Sequence, residues 1–345
     1  MFKRSVQKIS VTFLLVISSI IALNYIVDPY GYNSRDAKFI KNLRMFNKPQ
    51  VTNARINSDG HYYLIGSSRM ARVNPQVIEK ISGKQTHNIK IDGASLPENY
   101  NLAYKVKDGG KFFIYSFDAF SGNKTRESYK EIMIRNEQYQ KVISDNIFFT
   151  KFFNSDITLR TLQHLIKIFK GERKNKQYLE ENSRFSGFDF DSALAKSGIL
   201  NNVTKSNFSN FDSYPDESII QLAKLATEDD IFIIFPKYLP YYSLFSKYQD
   251  IEKKYFSAIK TLVNNTEAQV WSFYGNNNIT KIENNFIDNG WHFKPKVGNI
   301  IFKQVFSSQP NFFEDQSGVQ LTKDNLDDYL SNINEEIEAI LINEN

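Results

Sequence analysis

The residues best suited to chemistry are Gly66-Ser67-Ser68-Arg69, which close the apolar run Tyr62-Tyr63-Leu64-Ile65. A β-rich run that stops in Gly-Ser-Ser and passes into polar, helix-compatible sequence predicts a strand, a tight turn and a helix N-terminus. Serines placed there sit at the carboxyl end of a strand, where open α/β sheets bind their ligands. The backbone N–H groups that follow can face an oxyanion. Gly-Ser-Ser is also ordinary loop chemistry, and a serine in that place can simply cap a helix. The stretch gains weight from Asp288-Asn289-Gly290-Trp291-His292 far downstream, which offers a carboxylate and an imidazole a few residues apart.

Positioning such groups requires a sheet, and the flanking sequence predicts one. His61 to Gly66, His87 to Ile91 and Lys111 to Phe117 read as strands, with helices from Asn74-Pro75 to about Ile81 and from Pro97 to Val106 between them. Strands and helices alternating over this length imply right-handed βαβ units and a parallel sheet. After a middle segment the pattern resumes. Glu217 to Ala226 reads as a helix, Asp230 to Phe235 as a strand, Tyr241 to Val263 as one long helix and Ala268 to Phe273 as a fifth strand. Asp288 to His292 is then a loop, Val297 to Phe306 a helix and 323–342 an acidic terminal helix. The middle, about 121–213, carries helical stretches at Tyr129–Ile143 and Ile157–Phe169 and reads as a helical insertion or cap.

The amino end has a different character. Lys3, Arg4 and Lys8 precede Ile9 to Val27, 19 residues without a charge. At ~1.5 Å per residue that length nearly spans a ~30 Å hydrocarbon core. Positive charge before the span favours a cytoplasmic amino end and an exported remainder. The run is longer than a typical signal core and ends in no clean small-x-small site, so a retained anchor is expected. The expected organisation is a cytoplasmic tail at 1–8, a transmembrane signal anchor at 9–27, a linker or collar at 28–60 and an α/β domain at 61–345. Asp28-Pro29-Tyr30-Gly31 is a turn signature just past the expected span.

Composition narrows the chemistry. The chain has 345 residues, of which 41% are hydrophobic and 14% aromatic, enough to bury a sizeable core. A net charge of +5 from 43 basic and 38 acidic residues is too mild to argue for nucleic acid. The absence of cysteine removes a thiol nucleophile, a disulfide framework and cysteine-ligated metals. The four histidines, His61, His87, His164 and His292, form no metal-ligand spacing, so no metal and no cofactor are expected.

The ordered set Gly66-Ser67-Ser68-Arg69, Gly93, Phe117-Asp118 and Asp288 with His292 resembles the SGNH/GDSL hydrolase superfamily. More narrowly it is similar to a membrane-anchored branch that includes alginate O-acetylation and teichoic-acid D-alanylation proteins. Val27-Asp28-Pro29-Tyr30-Gly31, Phe235-Pro236-Lys237-Tyr238-Leu239-Pro240-Tyr241-Tyr242 and His292-Phe293-Lys294-Pro295-Lys296-Val297-Gly298 also look like that branch. The resemblance covers the anchor and the sheet blocks but not the insertion. It implies an α/β three-layer sandwich with a central parallel sheet, of SGNH or flavodoxin-like type. It further implies Ser68 as nucleophile with Ser67 as filler, His292 as general base and Asp288 as the group that orients it. The backbone N–H groups of Ser68 and Gly93 would then serve the oxyanion.

Two departures stand out. The branch usually spaces the aspartate and histidine with two residues between, whereas Asp288 and His292 have three between and Asn289 has two. Either the turn carries an extra residue or Asn289 takes the carboxylate position. Asp118 stands near a strand end where simpler members have an asparagine donor, and an ionised carboxylate cannot donate a hydrogen bond. Asp118 is therefore expected to pair with Arg69 or to touch substrate. The function implied is acyl transfer or ester hydrolysis through an acyl-serine. The acyl group is a small one such as acetyl, and the substrate is a cell-envelope polysaccharide outside a bacterial-type cytoplasmic (inner) membrane, on the periplasmic side. A polytopic membrane O-acyltransferase is the implied partner. The departures motivate an alternative, a catalytically silent scaffold or glycan-binding component of such an envelope system.

Overall fold

The computed structural model describes residues 2–27, 61–90, 93–107, 111–123, 153, 155–170, 214, 216–242, 250–287, 290–306 and 317–343. The 28–60 linker, the helix expected at Tyr129–Ile143 and most of the 121–213 insertion lie outside the described residues. So do Asp288 and Asn289. By contact the chain divides into two compact units.

The first unit contains α1 (Phe2–Val27) and a later helix, α4 (Ser155–Phe169). The span Ser5–Val27 of α1 is long and apolar enough to cross a membrane. Asn24 Nδ2 donates to Thr158 Oγ1 at 2.9 Å and ties the two helices together.

The second unit is built on a six-stranded sheet. Its elements in chain order are β1 (Tyr62–Ile65), α2 (Pro75–Ser82), β2 (Thr86–Asn88), α3 (Leu96–Val106) and β3 (Phe112–Ser116). They continue with α5 (Asp216–Leu225), β4 (Ile231–Ile234), α6 (Ile251–Asn265) and β5 (Gln269–Ser272). A hairpin of β6 (Phe286–Ile287) and β7 (His292–Phe293), then α7 (Pro295–Val305), β8 (Val319–Leu321) and α8 (Leu326–Asn343) complete it. The spatial order is β2-β1-β3-β4-β5-β8. The first five strands are parallel, and β8 runs antiparallel to β5 with Val270 opposite Leu321.

Local chemistry explains the elements. β1 and β4 are short aromatic and aliphatic runs, buried at every position, as strands covered on both faces must be. Asn74 caps α2 by accepting from Gln76 N at 3.0 Å, with Pro75 in the first turn. Ser95 and Glu98 form a reciprocal capping box that starts α3. Alternate strand residues Tyr62, Leu64, Ile114, Ile231, Ile233 and Trp271 join Ile78 of α2 and Val297, Ile301 and Phe302 of α7 in one core cluster. The intervening positions Tyr63, Ile65, Phe113, Tyr115 and Phe232, which point to the other face, are buried as well.

The long helix expected from Tyr241 to Val263 is not continuous. Asp250 has φ 52° and ψ 33°, a left-handed conformation that cannot lie inside a right-handed helix, and α6 begins only after it. The edge strand β8 and the β6–β7 pair were not expected from sequence. Residues 286–287 and 292–293 are too short to carry a strand pattern.

Candidate functional site

The chain leaves β1 towards β2 on one side and returns past it to β3 on the other. The crevice at such a reversal, beyond the carboxyl ends of the strands, is where open sheets bind ligands. Ser67 and Ser68 follow β1 and Asp118 follows β3, so this is where the chemistry-bearing residues converge. Gly66 makes the approach possible. Its φ is +153°, and a Cβ there would stand 2.0 Å from Ser116 Oγ. Successive bonds from Met70 N to Ser67 O, Ala71 N to Ser68 O and Arg72 N to Arg69 O then wind a 3₁₀ turn.

Two adjacent serines emerge from this turn in different environments. Ser67 is fully buried at 0% exposure. Its hydroxyl donates to Asp118 Oδ2 at 2.6 Å and accepts from Arg69 N at 3.2 Å. Ser68 is partly open. Its Oγ lies 2.9 Å from His292 Nε2, and His292 is also partly open. The structure thus brings together Ser68 and His292 from positions more than two hundred residues apart.

Asp118 pairs with Arg69, as one of the two sequence alternatives had it. Nη1 of Arg69 is 3.1 Å from Oδ1, with both side chains buried. Ser116 Oγ donates to Asp118 Oδ2 at 2.8 Å and accepts from Ser67 N at 3.2 Å. The other guanidinium arm donates to the carbonyl of Pro236, and the guanidinium carbon lies 5.0 Å from the Trp291 ring centre and 5.6 Å from that of Phe235. Arg69 therefore joins the ends of β1, β3 and β4 and the residue next to His292. Tyr255 and Tyr214 hydroxyls donate to the carbonyls of Phe117 and Ala119 on either side of Asp118.

His292 is held from its other end. It pairs with Ile287 across the hairpin. Lys294 N donates to Asn285 O at 2.8 Å, and Gly290 O accepts from Tyr238 N at 3.0 Å. Helix α7 starts three residues on and leans against the turn behind Ser68. A Cβ on Gly298 would stand 2.9 Å from Arg72 O. The same close approach therefore registers the imidazole against the serine.

Gly93 lies in the turn before α3 with φ +70°. Asp288 and Asn289 fall outside the described residues. Nearby, Lys237 is buried against Glu252 and over the rings of Tyr242 and Tyr274. Burial pushes the Lys237 ammonium down to about 8, the Glu252 carboxylate opposes that shift, and the charge of Arg69 adds to it. Among the described residues no group of three or more His, Asp or Glu is placed to hold a metal ion.

Sequence reasoning missed Ser116, the Pro236 carbonyl, Trp291 and the Lys237–Glu252 pair. A polar residue closing the otherwise apolar strand Phe112-Phe113-Ile114-Tyr115 was the available signal for Ser116. No local signal marks a backbone carbonyl as a partner.

No protein-family model matches this chain, and no curated protein matches it at a significant level.

Proposed function

We propose that this chain is a membrane-tethered, extracytoplasmic serine acyltransferase or esterase built on an SGNH-type three-layer α/β sandwich. It would act on small O-acyl groups, such as acetyl, of a cell-envelope polysaccharide. The observation that carries the reading is the 2.9 Å contact between Ser68 Oγ and His292 Nε2 in a partly open position. The seat of that pair at the β1/β3 reversal supports it. So does the apolar helix at the amino end. The glycan and the polytopic O-acyltransferase partner come from the resemblance of the motifs.

In this mechanism Ser68 Oγ attacks the acyl carbonyl while its proton passes to His292 Nε2. The leaving oxygen takes that proton as the carbon–oxygen bond breaks, leaving an acyl-Ser68. A sugar hydroxyl or water, deprotonated by His292, then attacks the ester and restores the serine. Nε2 can accept only when the ring carries its proton on Nδ1, and a carboxylate from Asp288 would favour that tautomer. The N–H groups of Ser68 and Gly93 would stabilise the oxyanion, at about 3–4 kcal/mol of barrier for each donor lost.

The test is intact-mass analysis of the detergent-solubilised full chain after exposure to p-nitrophenyl acetate. The wild type should gain one acetyl group, Ser68→Ala none, and His292→Ala should acylate far more slowly. A wild type that unfolds cooperatively yet never gains the adduct would favour the silent, glycan-binding alternative.

A further inference from the structure

The unit formed by α1 and α4 has an apolar surface that the single-anchor reading does not use. Only the last three turns of α1 are covered. Ile21, Asn24 and Val27 are buried and Ile17 and Ile20 partly so, one stripe at helical spacing. The earlier residues Ile9, Val11, Phe13, Leu14, Leu15 and Val16 are exposed. On α4, Ile157 and Thr161 are buried and Leu165 partly so, and Thr158 bonds Asn24. A second stripe, Leu159, Leu162, Ile166 and Phe169, is open, with Phe169 at 87% exposure. At ~100° per residue these four positions fall within an arc of about 80° that adjoins the covered one. The positions of Asp156, Arg160, Gln163, Lys167 and Lys170 fall in the next arc, three of them basic against one acidic. Helix α4 is therefore apolar towards α1, apolar on a second side and basic on the third.

A helix in water gains nothing by presenting a second apolar stripe. Position identifies what covers it. If Ile9 to Val27 spans the hydrocarbon, ~1.5 Å per residue places Asn24 only about 5 Å inside the outer boundary. Thr158, bonded to Asn24, lies at the same level. The open stripe begins beside it at Leu159, at the level where the exposed side of α1 would meet lipid, and the basic positions of the neighbouring arc suit anionic headgroups.

We infer that α4 is a second membrane-contacting element, an interfacial helix whose Leu159–Leu162–Ile166–Phe169 stripe lies in the outer leaflet and whose basic arc meets anionic lipid. The inference rests on α1 spanning the bilayer and is independent of the Ser68 chemistry. Held in this way, α4 fixes the first unit at the bilayer surface by two elements instead of one.

The chain contains no cysteine, so single sites can be labelled cleanly. Leu162→Cys, Ile166→Cys and Phe169→Cys, each carrying an NBD fluorophore, would be reconstituted as full chains in vesicles of phosphatidylcholine and phosphatidylglycerol. Gln163→Cys and Leu14→Cys serve as references on the basic arc and on α1. The three stripe probes should show blue-shifted emission and lose fluorescence to doxyl-labelled lipid as the Leu14 probe does. The Gln163 probe should lose it to iodide in the water. Lipid quenching at Leu14 with iodide quenching at all three stripe sites would overturn the inference and leave the anchor standing. Stripe probes shielded from both quenchers, with energy transfer between donor- and acceptor-labelled chains, would replace lipid by a second copy of the chain. Iodide quenching at Leu14 as well would remove the anchor and the inference together, with the Ser68 adduct assay unaffected.

Discussion

Ser67 and Ser68 have the same side chain and sit one residue apart, yet their surroundings give them separate tasks. Ser67 is committed to Asp118 and the Arg69 backbone, while Ser68 meets an imidazole at the surface. The serines, Arg69 and Asp118 were legible as residue types at strand ends, and His292 as a loop residue that the structure places at the start of β7. What was not legible is that Asp118 collects three partners, because Ser67 and Arg69 reach it from the end of the neighbouring strand to join Ser116 two residues before it. Breaking a buried pair from one side leaves an uncompensated charge at a cost of about 3–5 kcal/mol. Arg69→Met and Asp118→Asn should each destabilise on that order, and the double variant should lose clearly less than their sum. Urea unfolding of the three variants measures the coupling, and strictly additive losses would refute the pairing as a structural unit. Arg69→Lys should rescue little, because an ammonium cannot fork between Asp118 and the Pro236 carbonyl while lying against Trp291.

At the level of elements, the strands after which the site residues stand were readable because each is a dense apolar run closed by a glycine, a polar residue or a proline. Sheet order and the β6–β7 pair were not, since both depend on contacts between distant segments. The Tyr241–Val263 expectation failed for a local reason. Apolar periodicity continues across Asp250 although the backbone there turns left-handed. The contact that matters most for the site lies between elements, where Gly298 of α7 meets the backbone of Arg72. Gly298→Ala would place a methyl 2.9 Å from Arg72 O, so α7 or the turn must give way. Overpacking of this kind costs about 1–3 kcal/mol. A displacement of about 1 Å between reacting groups lowers rate on the order of 10²-fold. Gly298→Ala should therefore keep a cooperative unfolding transition while Ser68 acylates much more slowly in the timed intact-mass assay. An unchanged acylation rate would mean that α7 does not register His292 against Ser68.

On the scale of the whole molecule, the sheet unit buries phenols where another protein would bury aliphatic side chains. Tyr115, Tyr214, Tyr242, Tyr255 and Tyr274 are all buried, and burial raises each hydroxyl well above the ordinary value of 10.0. Neighbouring negative charge adds to this, chiefly Glu252 at Tyr274 and Asp230 at Tyr115. The sign follows from proton counting. Above pH 10 the unfolded chain releases these protons and the folded chain keeps them, so stability is full below that pH and falls as pH rises. Each phenol removes about 1.4 kcal/mol per pH unit. Lys237 acts in the opposite direction. Its folded value of about 8 lies below the unfolded 10.5. Between those values the unfolded chain holds the extra proton, and stability gains as pH rises. Urea unfolding across an alkaline series should show stability held or slightly rising from pH 8 to 10, then falling steeply. Replacing Lys237 and Glu252 together by Met and Gln should remove the early rise and leave the fall. Tyrosinate absorbance followed on the same samples separates the groups. Exposed phenols such as Tyr104 should titrate first in the folded protein, and the five buried ones only together with loss of the circular dichroism signal. Ionisation of those five near pH 10 with the fold intact would mean that water reaches the interior around Asp118 and Glu252, and the same water would then screen the Arg69–Asp118 pair behind Ser68.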